Sequence, residues 1–167
     1  MNEQDIIAAL RRHHRPPQWV FFDELRVGTG FSGRYADREV EQRVDAWAIS
    51  CWDSGRYRRI AYEVKVSRAD FKRELADPSK RQATLRISNE MYLVCPARLI
   101  QKGEAPEELG LVWVTERHAT HLVKRAPYRD TPFPGWPFVA SLARRAWLAS
   151  NGGGKNILEA ARGKQAP

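Results

Sequence analysis

The stretch RVDAWAISCWDSGRYRRIAYEVKV, residues 43–66, constrains the fold more than any other part of the chain. Two runs rich in β-formers, RVDAWAISCW and RYRRIAYEVKV, flank the turn signal DSG and predict an antiparallel hairpin. In the second run Val64 and Val66 alternate with Glu63 and Lys65, which turns a carboxylate and an amine toward one face. In the first run Val44, Ala46 and Ala48 alternate as packed positions should, with Asp45 between them. Paired hairpin positions stand equally far from the turn, and Asp45 and Glu63 are each nine residues from Ser54. An odd-membered connection therefore sets Asp45 opposite Glu63, with Lys65 on the same face. A two-residue turn at Ser54 and Gly55 would slip the register by one and separate them.

The rest of the chain frames this hairpin. Ile6, Ile7 and Leu10 mark one face of an opening helix that stops before the prolines at 16 and 17. WVFFDELRVGTGF predicts a first strand, and the polar GRYADREVEQ after it a loop or ragged hairpin connection. Beyond Val66 the pattern turns helical: Ser67 is a candidate N-cap, Phe71 and Leu75 stand four apart, and Asp77-Pro78 breaks the helix before SKRQATLRIS. EMYLVCP then predicts a buried strand, LGLVWVTE and ATHLVKRA a second hairpin, and FVASLARRAWLAS a closing helix. The expected fold class is α/β: one domain over residues 1–150, an αβββαβ core with a mixed sheet, then the hairpin and helix, and a frayed tail at 151–167.

Burial decides what Glu63 means. On an exposed strand, the Glu63–Lys65 pair would be worth only ~0.5 kcal/mol. In a sheet covered on both faces, an unpaired carboxylate is costly unless a metal or a positive group neutralises it. Two carboxylates and the intervening carbonyl of Val64 form a partial oxygen shell suited to Mg²⁺, with Mn²⁺ as a substitute, to be completed by water and a substrate phosphate. Lys65 beside such an ion can hold an attacking water or stabilise negative charge in a transition state. That chemistry suits phosphodiester hydrolysis.

Charge points to the same class of partner. The chain carries 28 lysines and arginines against 20 acids, a formal net charge of +8, and an anionic partner such as DNA follows. RNA as a substrate and homodimerisation stay open. No segment approaches the ~20 apolar residues of a membrane span, and MNEQDIIAALRRHH lacks the order of a signal peptide, so a cytoplasmic protein without membrane contact is expected. Cys51 and Cys95 sit in apolar surroundings typical of reduced core thiols. His13, His14, His118 and His121 have no zinc spacing, and Trp47, Trp52, Trp113 and Trp147 are expected as packing residues.

Asp45, then Glu63-Val64-Lys65, then a helix, resembles the PD-(D/E)xK nuclease superfamily, although valine precedes the aspartate where that family often has proline. EVKVSRADF followed by YLVCP, EELGLVWV and RRAWL resembles the MmcB-type DNA repair proteins of that superfamily over residues 20–148. The resemblance implies a restriction-endonuclease-like core and a metal-dependent DNA endonuclease acting in repair, recombination or defence, with Asp45, Glu63 and Lys65 as the metal and catalytic positions. A DNA-binding module that keeps the fold without the activity is the alternative. Related nucleases add a glutamate from the first helix. Here Glu24 of the first strand is placed ahead of Glu3, which lies near a terminus that can fray. Arg43, Arg68, Lys72, Lys80 and Arg81 are the candidate DNA contacts, Lys80 falling where the family also carries a lysine.

Overall fold

A capping box starts α1 (Glu3–His13): Asn2 accepts the Asp5 N–H at 2.9 Å, and Asp5 accepts the Asn2 N–H at 2.8 Å. Ile6, Ala9 and Leu10 form its buried stripe. The structure, a computed structural model, describes residues 1–27, 42–132 and 134–150. Residues 28–41, with the glycine-rich end of the first run and all of GRYADREVEQ but Gln42, and the tail after residue 150 lie outside the described residues.

Six strands form one mixed sheet in sequential order: β1 (Trp19–Val27), β2 (Gln42–Ser50), β3 (Arg59–Val64), β4 (Glu90–Pro96), β5 (Gly110–Val114) and β6 (Thr120–Lys124). β1, β2 and β3 are antiparallel neighbours, β3, β4 and β5 are parallel, and β6 returns antiparallel to β5. The parallel step from β3 to β4 requires a crossover, supplied by α2 (Arg68–Ala76), a 3₁₀ turn (Pro78–Arg81) and α3 (Gln82–Ile87). Ser67 caps α2 by accepting the Asp70 N–H at 3.1 Å, and Asp77-Pro78 ends that helix as expected. The closing helix is α4 (Trp136–Ser150). The αβββαβ order and the terminal hairpin and helix agree with the sequence. Among the described residues no helix is long and apolar enough to cross a membrane.

Both faces of the sheet are covered. Phe22, Trp47, Ala61, Met91, Leu93 and Leu111 pack with Phe71 of α2, Leu85 of α3 and Phe138 of α4. Ala46, Ile60, Tyr62, Tyr92 and Val112 pack beneath Ile6, Ala9 and Leu10 of α1. Some details depart from expectation. β3 ends at Val64, so Val66 does not continue its apolar face and is exposed, as is Leu75 on α2. Cys95 is buried, but Cys51 follows the last residue of β2 and is exposed. Trp47 is buried and Trp113 half-buried, whereas Trp52 and Trp147 are about half exposed.

The β2–β3 register is the one the spacing predicts: Ala46 pairs with Tyr62, Trp47 with Ala61, Ala48 with Ile60 and Ile49 with Arg59. One step further along the same register lies Asp45 opposite Glu63. The connection is a 3₁₀ turn over Asp53–Gly55 rather than a two-residue turn. Gly55 is needed there, because a β-carbon on it would stand 2.0 Å from Ser50 Oγ and 2.9 Å from Ser50 Cβ. Gly55→Ala is expected to lower stability by about 1–3 kcal/mol through this overpacking, and Ser50→Gly in the same background to recover part of it, both read by denaturant unfolding.

Candidate active site

β2 and β3 stop pairing where their acids meet. In a continued ladder the Val64 N–H would reach the carbonyl of Val44; it donates instead to Asp45 Oδ2, at 2.8 Å. The β1–β2 ladder is interrupted at the same level: Asp23–Ala46 and Leu25–Val44 pair, but Glu24, with φ of 47°, does not pair with Asp45. The irregularity explains why Val44 packs with Trp47 on one face while Ala46 packs on the other. The expected alternation of Val44, Ala46 and Ala48 therefore holds for burial but not for face.

Glu63 shares the Ala61 face by strand alternation, and its Oε1 accepts from Lys65 Nζ at 2.7 Å. Lys65 Nζ also lies 3.3 Å from Oε2 of Glu74, a residue the sequence analysis does not select. Glu74 in turn faces Arg81 at 3.5 Å, and Arg81 donates to Glu108 Oε1 from Nε at 3.0 Å and Nη2 at 2.9 Å. The chain of acid, amine, acid, guanidinium, acid is mostly covered: the side chains of Lys65 and Glu74 are each 10% exposed and that of Arg81 5%. Glu74 was legible in principle, since it stands three residues after the buried Phe71 on α2. Its pairing with Lys65 depends on how α2 docks.

The electrostatics show a shortage of positive charge. Burial pushes Glu63 up to about 7, Asp45 and Glu74 push it the same way, and Lys65 only partly offsets them. Burial also raises Asp45; the Val64 N–H and Lys65 pull it down, while Glu3 and Glu74 push it up. Burial disfavours the charged form of Lys65, but Glu63, Glu74 and Asp45 together hold its pKa above the ordinary value. Two desolvated carboxylates with more acid than base around them are a donor set that a hard divalent cation would satisfy. Asp45 and Glu63 are the residues that would hold it, with the Val64 carbonyl adjacent in sequence. Among the described residues no group of three or more histidine, cysteine or acidic side chains is arranged around a metal position.

The remaining expected residues separate. Glu24 is exposed, and the acids that bear on Asp45 are Glu3 and Glu74 instead. Capping of α1 at Asn2 holds Glu3 in the first turn, against the expectation that it frays. Arg43 and Lys72 are exposed. Arg68 is exposed but makes a bidentate pair with Glu104, at 2.8 and 2.6 Å. Arg81, expected as a DNA contact, is buried in its ion pairs and presents nothing to solvent. Lys80 lies in the 3₁₀ turn before α3, and its side chain is outside the described part of the structure.

No family model and no curated protein matches the chain. A solved structure of a protein of unknown function from Silicibacter pomeroyi is similar, with a TM-score of 0.64 at 20% identity, over 94% of this chain and 97% of that one. At that identity the likeness concerns the fold alone.

Proton linkage gives a direct test of the buried acid. With Glu63 raised from 4.5 to about 7, the folded state binds the extra proton, so its contribution to stability falls as pH rises from about 4.5 to 7. His14, lowered from 6.5 to about 4 chiefly by burial, acts in the opposite direction, with stability lost as pH falls from about 6.5 to 4. The two slopes oppose each other in the parent protein, so the difference between variant and parent isolates Glu63. In EDTA, the melting temperature of Glu63→Gln minus that of the parent is expected to increase steadily between pH 4.5 and 7.5. A flat difference would mean that Glu63 is not held protonated by burial.

Proposed function

We propose that this protein is a metal-dependent nuclease that hydrolyses phosphodiester bonds in DNA, with a restriction-endonuclease-like core. The observation that carries the proposal is the convergence of Asp45 and Glu63 at the end of the β2–β3 ladder, both carboxylates raised by burial, with Lys65 bonded to Glu63. Asp45 and Glu63 are the residues that would hold a Mg²⁺ or Mn²⁺ ion, which would supply Lewis-acid polarisation of the scissile phosphate and a lowered pKa for water. Lys65 is kept cationic by its acids and directed toward the same place, where it orients the attacking water or stabilises charge on the phosphoryl oxygens. Glu74 is a positioning residue that holds the ammonium from the helix side. Net charge of +8, with Arg43 and Lys72 exposed, favours approach of a polyanion.

A nonenzymatic DNA-binding module is the second reading, and one observation favours it. Asp45 Oδ2 already satisfies the Val64 N–H, and Lys65 already bridges Glu63 and Glu74, so the cluster has internal structural work as it stands.

The two readings diverge under substitution. Asn at position 45 retains an oxygen for the Val64 N–H but loses the charge, so Asp45→Asn is expected to fold, to bind DNA as well as the parent or better, and to lose cleavage. Lys65→Ala is expected to cut about 100-fold more slowly or worse, on the scale of removing one electrostatic stabiliser. The assay uses plasmid, linear duplex, single-stranded and junction DNA, and an RNA of matching sequence, with Mg²⁺, Mn²⁺ or EDTA. Unaltered cutting by a well-folded Asp45→Asn protein would remove the site from consideration. Absence of cutting on every substrate, with no rise in melting temperature on adding Mg²⁺, would favour the binding module.

DNA affinity separates charge from chemistry. In EDTA, it is expected to fall steeply between about 50 and 200 mM salt, with a log–log slope that counts neutralised phosphates. Affinity indifferent to salt, measured by fluorescence anisotropy, would mean that the basic surface has another purpose.

A further inference from the structure

The face of the sheet that turns away from Glu63 contains a second set of chemically unsatisfied groups. A cavity of about 260 Å³ lies between α1 and the sheet, lined by His14, Trp19, Tyr62, Tyr92, Val112 and Leu122 among others. A more open cleft of about 400 Å³ shares Trp19 and Arg58 with it and continues past Ser50, Gly55, Arg56 and Tyr128.

Buried polar atoms in folded proteins nearly always have partners, and each orphan costs about 1–3 kcal/mol. Among the described residues four buried side-chain nitrogens and oxygens have none, and three of them, His14 Nδ1, Ser50 Oγ and Arg58 Nε, belong to residues that line these two spaces. His14 is 2% exposed and Ser50 1% exposed, so neither side chain is readily served by bulk water. His14 Nε2 is already engaged at 2.6 Å with the Tyr62 hydroxyl, which leaves Nδ1 as its one free hydrogen-bonding position.

Charge narrows the ligand. Arg58 is neutralised by Glu90, at 2.6 Å, and Glu90 also accepts from the Tyr92 hydroxyl at 2.6 Å. Burial keeps His14 neutral. The cavity is therefore bounded by hydrogen-bonding groups without net charge and by the rings of His14, Trp19, Tyr62 and Tyr92, of which Tyr62 and Tyr92 stack at 5.9 Å and His14 meets Trp19 edge-on at 4.6 Å. Such walls suit a flat, uncharged ring with polar edges and exclude a bare anion. The volume, below the ~300–1,000 Å³ of pockets for drug-sized ligands, matches one ring system.

The adjoining cleft differs. Arg56 is exposed there and makes no ion pair among the described residues, and it and Tyr57 both adopt left-handed backbone, with φ of 51° and 50°. They are the two central residues of a turn closed by the Arg58 N–H on the Gly55 carbonyl at 3.0 Å, the primed geometry that suits a hairpin, and this turn fixes the backbone that presents Arg56.

We infer that this face binds a single nucleotide, its base in the cavity beside His14, Trp19 and Arg58, and its phosphate in the open cleft at Arg56. The inference does not depend on the nuclease proposal, whose acids lie on the other face. A nucleotide can reach the site free or splayed from a strand.

Binding is measured by calorimetry and tryptophan fluorescence on the full chain in EDTA, with nucleosides, 5′-mononucleotides, inorganic phosphate and single-stranded octanucleotides. Mononucleotides are expected to bind at least tenfold tighter than nucleosides, and phosphate alone not to bind. Arg56→Ala, at an exposed position, should remove the tenfold advantage and leave nucleoside affinity as it was. Leu122→Trp, on the exposed rim of the cavity, should abolish binding of both without changing the melting temperature. Asp45→Asn should bind like the parent, which keeps the outcome separate from that of the nuclease proposal. An octanucleotide at least tenfold tighter than the mononucleotide identifies a strand as the source; equal affinity identifies a free nucleotide. The inference is overturned if nucleosides, mononucleotides and octanucleotides all fail to bind, if binding survives Leu122→Trp, or if phosphate alone binds as tightly as a mononucleotide.

Discussion

The pairing of β2 with β3 sets Asp45 beside Glu63 and decides which face of the sheet each residue of β3 takes. Because side chains alternate along a strand, a slip of one residue at the Asp53–Gly55 turn would send Glu63 to the α1 face and Tyr62 to the α2 face. Both proposed sites would vanish together. The turn resists the slip through close packing of Gly55 on Ser50, and through the bond from the Ser50 N–H to the Arg58 carbonyl at 2.9 Å, which carries the register to the end of the hairpin.

At the other end of the hairpin, the ladder stops because a carboxylate takes the place of a carbonyl. Asp45 satisfies the Val64 N–H, so ending the pairing leaves no orphan donor there. The crossover then brings α2 down over the β3 terminus, with Phe71 in the core and Glu74 against Lys65. Burying Lys65 among Glu63, Glu74 and Asp45 costs desolvation on every member, and Glu63 bears it most visibly, with a proton affinity near neutrality. A sheet that needed only stability would be served as well by apolar residues of similar size at these positions.

The two faces of β3 divide the work by polarity. Around Glu63 the acids Asp45, Glu63 and Glu74 outnumber the one amine of Lys65. Residues on the Tyr62 face are aromatic and uncharged in balance, with Arg58 answered by Glu90 and His14 neutral. The overall charge of +8 favours approach of a polyanion, and the Tyr62 face has the aromatic walls on which the proposed base would lie.

Sequence alone determined the elements and the hairpin register, because alternation, turn residues and the break at Asp77-Pro78 are local signals that burial then confirms. It also brought Asp45, Glu63 and Lys65 to one place, since opposite positions in a hairpin follow from counting residues. Only the tertiary structure decided the rest. That Glu3 rather than Glu24 bears on Asp45 depends on α1 lying across the sheet and on the left-handed turn of backbone at Glu24. That Glu74 joins Lys65, and that Arg81 is spent on Glu74 and Glu108 instead of facing solvent, depends on how the crossover docks. The orphan atoms of His14, Ser50 and Arg58 come from three segments up to 44 residues apart. Short-range patterns encode which way a side chain points from its own strand or helix; which distant side chain it meets is set by packing between elements, and no local spacing carries that information.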